Sequence, residues 1–233
     1  MGLDVLRWGG DRLRAGPWRG DEHVAYIAPH PAGPPPTTEA VRRSCSVLAA
    51  RGFTEVVTAA LGPAESHGFL TAGFTIRERL HLLAHEMRAL PPVPGDVRLR
   101  RGRRADRDGA LAVDASAFDD FWRLDDAGLD EALAATPATR FRVVGAGPIV
   151  GYAVTGRSSD RGFLQRLAVE PAHEGQGLGA ALVLDALRWL ERRGVVRTIV
   201  NTQERNERAI ELYERLGFHR QPGGLAVFHA ALT

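Results

Sequence analysis

The period of the hydrophobic positions changes along the chain, and those changes mark out its elements. VRLRR at 97–101 reads as a short strand, and RFRVVG at 140–145 and PIVGYAVTG at 148–156 as two more. The turn between the last two, around Gly145, Ala146 and Gly147, suits a hairpin. Ala110, Val113 and Ala117 fall at helical spacing and predict a helix over 106–118. A second short helix, AGLDEALAAT at 127–136, stops before Pro137. GFLQRLAVE at 162–170 is the next strand, the fourth of this half, ended by Pro171. Leu178, Leu182, Ala186 and Trp189 predict a long helix over 177–193, with Gly194 as its stop. VRTIVNT at 196–202 is β-rich, and NERAIELYERLG at 206–217 is helical, from a good N-cap residue, Asn206, to Gly217. GLAVFHAAL at 224–232 closes as a strand. The order β-α-α-β-β-β-α-β-α-β is mixed α/β, with antiparallel strands first and a βαβ unit later.

The N-terminal part repeats some of this pattern. When 26–74 is set beneath 167–218, Pro29 meets Pro171 and Gly52 meets Gly194, both offset by 142, and the GF at 73–74 meets the GF at 217–218, offset by 144. A strand, helix, strand, helix, GF order therefore occurs twice. LPPVPGD at 90–96 cannot continue a helix and favours a stiff, extended connection. The expected division is a half-domain at 1–90, a linker at 91–96 and a domain at 97–233.

Composition is that of a soluble globular protein: 233 residues, 44% hydrophobic and 25% charged. No apolar run approaches the ~20 residues of a membrane span, and MGLDVLRWGGDRLR at the N-terminus lacks a signal-peptide core. The single cysteine, Cys45, excludes an intrachain disulfide and a four-cysteine metal cage. The expectation is a cytoplasmic protein with no membrane partner and no metal. A net charge of +2 is too weak to argue for nucleic acid. RLRRGRRADR at 98–107 concentrates six arginines, read as a solvated strand edge and turn or as a field that attracts an anion.

Candidate chemistry centres on HEGQGLGAA at 173–181. Glycines at 175, 177 and 179 let backbone N–H groups converge at a helix N-terminus, which suits a phosphate. Gly175, Gly177 and Ala180 also fit the G-x-G-x-x-A dinucleotide fingerprint. That fold wants an acidic residue ending the next strand, whereas VRTIV runs into Asn201 and Thr202, and it has no place for antiparallel strands in front. The second motif, NERAIELYERLGF, lies about thirty residues beyond the loop. Helical positions i and i+7 fall within about 20° of one face, so Asn206 and Tyr213 are expected to point the same way with the small Ala209 between them.

LAVEP followed by HEGQGLGAA, together with NERAIELYERLGF, resembles the GNAT superfamily of acyl-CoA-dependent N-acyltransferases over about 97–233. The loop is similar to the family's Q/R-x-x-G-x-G/A pyrophosphate loop, and the helix to its N-x-x-A-x-x-x-Y-x-x-x-G-F motif. Glu174 is a departure, standing where the family has Gln or Arg. The resemblance implies a GNAT fold, with a central mixed, mostly antiparallel sheet flanked by helices, plus a smaller GNAT-like N-terminal half-domain. It implies acetyl-CoA as cosubstrate, held by Leu167, Ala168, Val169, Glu174, Gly175, Gln176, Gly177, Leu178, Gly179, Ala180, Asn206 and Ala209. It also implies a splayed pair of strands, 162–170 and 196–202, with the pantetheine between them.

Acyl transfer from a thioester to an amine needs a polarised carbonyl, a neutral amine and a departing thiolate. Tyr213 is the expected general acid or hydrogen-bond donor for the thiolate. Glu204 is a candidate base, with Asp119 and Asp120 as further carboxylates. FDDFWRLD at 118–125 occupies the stretch where the family shapes its acceptor site, so Asp119, Asp120, Phe121 and Trp122 are candidate substrate residues. The acceptor is a small-molecule amine or a protein or peptide amine, and the chain a monomer or homodimer. The alternative is a non-catalytic acyl-CoA sensor or interaction module on the same fold. In the N-terminal half the loop has become HPAGPPPTT, whose prolines remove N–H donors, and Phe69 stands opposite Tyr213. That half is expected to bind no coenzyme.

Overall fold

The computed structural model describes residues 3–92, 97–145 and 147–232. Most of the expected linker at 91–96, and Ala146 of the expected hairpin turn, lie outside the described residues. In chain order the elements are β1 (Asp4–Trp8), β2 (Asp11–Pro17), β3 (Val24–Pro29), α1 (Thr38–Ala50), β4 (Glu55–Thr58), α2 (Pro63–Thr71) and β5 (Thr75–His85). There follow β6 (Leu99–Arg101), α3 (Arg107–Ala117), α4 (Asp126–Ala134), β7 (Ala138–Val144), β8 (Gly151–Ser158), β9 (Arg161–Val169) and α5 (Leu178–Glu191). The chain closes with β10 (Arg197–Gln203), α6 (Glu207–Arg215), β11 (His219–Arg220) and β12 (Leu225–Ala231).

Contacts divide the chain into two units. One holds Met1–Leu82, Asn201–Arg205 and Gln221–Thr233, and the other Leu83–Val200 and Asn206–Arg220. The sequence pattern had kept 97–233 together. Strand β12 instead pairs antiparallel with β4 and β5, placing His229 opposite Val57 and Leu225 opposite Leu80. A strand's own alternation encodes which face is buried, not which neighbour it pairs with.

In the N-terminal unit the strands run β1-β2-β3-β4-β12-β5, antiparallel except for the β3–β4 pair. Thr37 caps α1, its hydroxyl accepting from the Ala40 N–H, and three prolines just upstream keep the helix from starting earlier. Ala40, Val41 and Leu48 of α1 and Phe69 of α2 pack against Leu13, Ala15, Ala25 and Ile27 of the sheet.

In the C-terminal unit β6, β7, β8 and β9 form an antiparallel run, and β10 joins β9 in parallel. Strand β8 is buried on both faces, so its neighbouring residues serve different layers. Tyr152 and Val154 meet Ala110, Val113 and Leu129 of α3 and α4, while Ala153 meets Leu182 of α5. Helix α5 also packs Val183, Leu184 and Leu187 against Leu164 and against Tyr213 and Leu216 at the end of α6. Each such leucine removed from water stabilises the unit by roughly 1.5–3 kcal/mol. The order strand, helix, parallel strand, helix occurs in both units, as β3-α1-β4-α2 and β9-α5-β10-α6.

Candidate functional site

Where α5 begins, the sequence does three things at once. Pro171 ends β9 in a single 3-10 turn, Gly175 and Gly177 take positive φ (75° and 77°), and Gly177 is the N-cap of α5. A side chain in the left-handed region is strained by about 1–2 kcal/mol, which is why glycine stands at both places. A glycine cap has no side chain to accept a hydrogen bond, so the first N–H groups of α5 stay free to meet an external acceptor. They open onto a groove of about 460 Å³.

The groove has three walls. Leu167, Ala168 and Val169 come from the end of β9, and Glu174, Gly175, Gly177, Leu178, Gly179 and Ala180 from the loop and the first turn of α5. Asn206 and Ala209 come from the start of α6. Eleven of the twelve residues expected to hold the coenzyme therefore line one cavity, and Gln176 does not. The strand pairing supplies the opening. Among the described residues β9 and β10 pair at Arg161–Phe163, whereas β9 stays paired to β8 as far as Val169. Among those residues, 164–169 carry their ladder on the β8 edge. The β8–β9 register also shifts between Val154 and Thr155, setting Gln165 out as a bulge.

Charge in the groove is internally compensated. Glu174, the departure from the expected loop, forms an ion pair with Arg208 of α6, and both side chains line the cavity. Arg215, Glu211, His173, Leu212 and Phe118 line it as well, and none of them was singled out from the sequence. Arg208 was legible only as a charge on a helix. Its link to Glu174 spans 34 positions and needs the packing of α6 beside the loop.

Asn206 caps α6, its side chain accepting from the Ala209 N–H at 3.1 Å, and it lines the groove from that position. Tyr213 is not in the lining. It is 5% exposed, its ring 5.5 Å from Phe218 in the α5–α6 core. Burial pushes its phenol well above the usual tyrosine value, and the charge of Arg166 opposes that rise. Asn206 stands at the N-cap, ahead of the first helical residue, with φ −86° and ψ 65°, and lines the groove, whereas Tyr213 does not.

The other candidates lie outside the lining. Glu204 belongs to the N-terminal unit, exposed, its N–H donating to the Arg79 carbonyl at 3.1 Å. Asp120 pairs with Arg123, and Asp119 accepts from the Trp122 N–H. Phe121 and Trp122 pack edge to face at 5.0 Å, and the buried Trp122 indole N–H has no hydrogen-bond partner among the described residues.

The matching region of the N-terminal unit is closed. Strands β3 and β4 pair as far as Ile27 and Thr58, and the Ala59 N–H continues the contact to the Ile27 carbonyl. A Cβ at Gly68 of α2 would lie 2.2 Å from the Pro36 carbonyl oxygen, so helix and proline segment are in backbone contact.

Residues 112–218 match the family described as Acetyltransferase (GNAT) family. A mycothiol acetyltransferase of Salinispora tropica is 37% identical over 144 residues, 56% of this chain and 47% of that protein. The [Ribosomal protein bS18]-alanine N-acetyltransferase of Escherichia coli K12 is 37% identical over 79 residues, 34% of this chain and 53% of that protein. The chain thus spans about half the length of the curated relatives it matches. Among solved structures, a tandem GNAT protein from the clavulanic acid biosynthesis pathway superposes with a TM-score of 0.71 at 15% identity, covering 98% of this chain and 82% of that one. A GCN5-related N-acetyltransferase from Kribbella flavida gives 0.63 at 18% identity, covering 99% and 89%. At these identities the likeness is one of fold.

Proposed function

Residues 112–218 are a GNAT-family domain, and from there we propose that the C-terminal unit transfers an acetyl group from acetyl-CoA to the nitrogen of a primary amine. The observation that carries this reading is the glycine-bounded N-terminus of α5 opening onto a groove whose other wall is the unpaired edge of β9. Free N–H groups and the positive end of the helix dipole suit the pyrophosphate. The one-sided ladder at 164–169 leaves backbone donors and acceptors for an extended amide chain such as pantetheine, and a donor there can polarise the thioester carbonyl.

The thioester supplies an activated acyl group, and the chain supplies binding, orientation and leaving-group stabilisation. A phenol held above 10 is a weaker acid than a thiol near 8.5. Tyr213 therefore acts as a hydrogen-bond donor to the thiolate rather than by full proton transfer. Within the C-terminal unit the base that frees the amine is Asp119 or Asp120, reached through water; Glu204, the other expected base, belongs to the N-terminal unit. The acceptor is a small-molecule amine or a protein amine, the two kinds of name carried by the relatives.

Calorimetry with acetyl-CoA, followed by an amine panel monitored for free thiol, tests the reading. The expected result is saturable binding and amine-dependent thiol release. No binding at about 1 mM, the upper end of ordinary KM values, overturns it. The second reading, a non-catalytic acyl-CoA binder, is favoured by one observation, the absence of Tyr213 from the groove wall. Binding without thiol release from any amine would select it.

A further inference from the structure

Asp114 of α3 is a fully buried carboxylate in the core of the C-terminal unit. Burying a carboxylate is costly unless it is paired and all its acceptor positions are filled. Here four donors fill them: the Tyr152 hydroxyl at 2.5 Å, Arg166 Nε at 2.6 Å, Arg166 Nη2 at 2.7 Å and the Leu124 N–H at 2.7 Å. A fork-to-fork pair of this kind fixes direction as well as distance.

What the pair holds gives it a function beyond core packing. Residues 118–125 carry no helix or strand. Two of their backbone groups are bound to the pair, the Leu124 N–H to Asp114 and the Trp122 carbonyl to Arg166 Nη2 at 2.7 Å. The guanidinium also lies 3.6 Å from the Phe118 ring centroid, and Phe118 lines the groove. Arg166 itself stands on the one-edged stretch of β9, next to Leu167 of the groove wall and beside the bulge at Gln165. One ion pair thus joins the loop, the free strand edge and the groove. The charge of Arg166 also reaches Tyr213, where it favours the ionised form.

We propose that Arg166, oriented by Asp114 and Tyr152, is a positioning residue that sets loop 118–125 as the acceptor-side wall of the site and so governs use of the amine rather than of acetyl-CoA. This rests on the acetyltransferase reading, and the test separates the two. In the full chain, Arg166→Lys keeps the charge and loses the fork, Arg166→Gln loses both, and Asp114→Asn weakens the hold on the loop. Amide hydrogen exchange over 118–125 should accelerate about tenfold in Arg166→Gln and Asp114→Asn while 173–180 keeps its wild-type rate. With a panel of an alanyl peptide, glucosamine, tyramine and spermidine, kcat/KM for the best amine should fall about tenfold through KM, with acetyl-CoA affinity within about twofold of wild type. Arg166→Lys should recover part of both losses. Wild-type exchange in the loop, or an acetyl-CoA affinity that falls as far as the amine term, overturns the proposal. A wild type that binds no acetyl-CoA defeats the acetyltransferase reading instead, and the exchange measurement then decides the positioning role alone.

Discussion

Glu174 shows how a single residue changes meaning once its neighbour is known. In the loop by itself, an acid beside a pyrophosphate is repulsive, and Glu174→Arg would be expected to tighten binding. With Arg208 paired across the groove, the two charges cancel, and the accessible cation is the one Glu174 withholds. An exposed pair of this kind contributes about 0–1 kcal/mol. Glu174→Gln should therefore tighten acetyl-CoA by up to about fivefold at low salt, with the gain shrinking as ionic strength rises. Calorimetry at two salt concentrations checks it, and an unchanged affinity would mean that Arg208 turns away from the ligand. Tyr213 carries a second expectation at this scale. Tyr213→Phe should lower kcat by roughly 10–100-fold with little change in acetyl-CoA affinity, within the range of a lost catalytic donor. Because burial raises its pKa, the tyrosine stays protonated across the working pH range, so the pH–rate profile should carry no inflection from it between about 6 and 9. The sign for stability follows. A raised folded pKa stabilises fully below the unfolded value near 10 and is lost as pH climbs through the folded one. Alkaline unfolding above about pH 10 should therefore be gentler in Tyr213→Phe, measured relative to its own stability at neutral pH.

At the scale of elements, the start of α5 is where backbone conformation and ligand chemistry coincide. Gly177 has φ 77°, and a Cβ built there meets no heavy atom within 4 Å. Gly177→Ala therefore isolates backbone strain from steric clash. It should cost about 1–2 kcal/mol and lower Tm by about 2–6 °C. If the first N–H groups of α5 are the phosphate donors, acetyl-CoA affinity should fall as well. A Tm loss with wild-type affinity would place the phosphates elsewhere. The helices themselves were legible from the sequence. The periodic leucines of α5 and the capping asparagine of α6 place both to within a few residues of the observed limits. Strands β1, β2, β5 and β11 were not identified, and the pairing partner of β12 was not legible. Short strands carry little alternation, and register depends on neighbours distant in sequence.

At the scale of the whole chain, one coenzyme site is expected despite the doubled strand–helix–strand–helix order. In the N-terminal unit the parallel pair β3–β4 runs on to Ile27 and Thr58, and prolines stand where the glycine loop would supply donors. Titration should give one acetyl-CoA per chain, and two would defeat this account. The chain contains no lysine, so acetyl transfer to lysine side chains of the protein itself cannot contribute to any assay. By itself, the sequence determined the helices, most strands of the C-terminal part, the glycine loop and its partner helix; the twelve residues expected around the coenzyme came from the resemblance, and eleven of them line the cavity. These are local matters, set by periodicity, caps and the backbone freedom of glycine. Tertiary structure alone decided that Glu174 meets Arg208, that Tyr213 turns into the core, and that Asp114 and Arg166 tie loop 118–125 to β9. The two ion pairs join side chains 34 and 52 positions apart, a separation over which neither periodicity nor propensity acts.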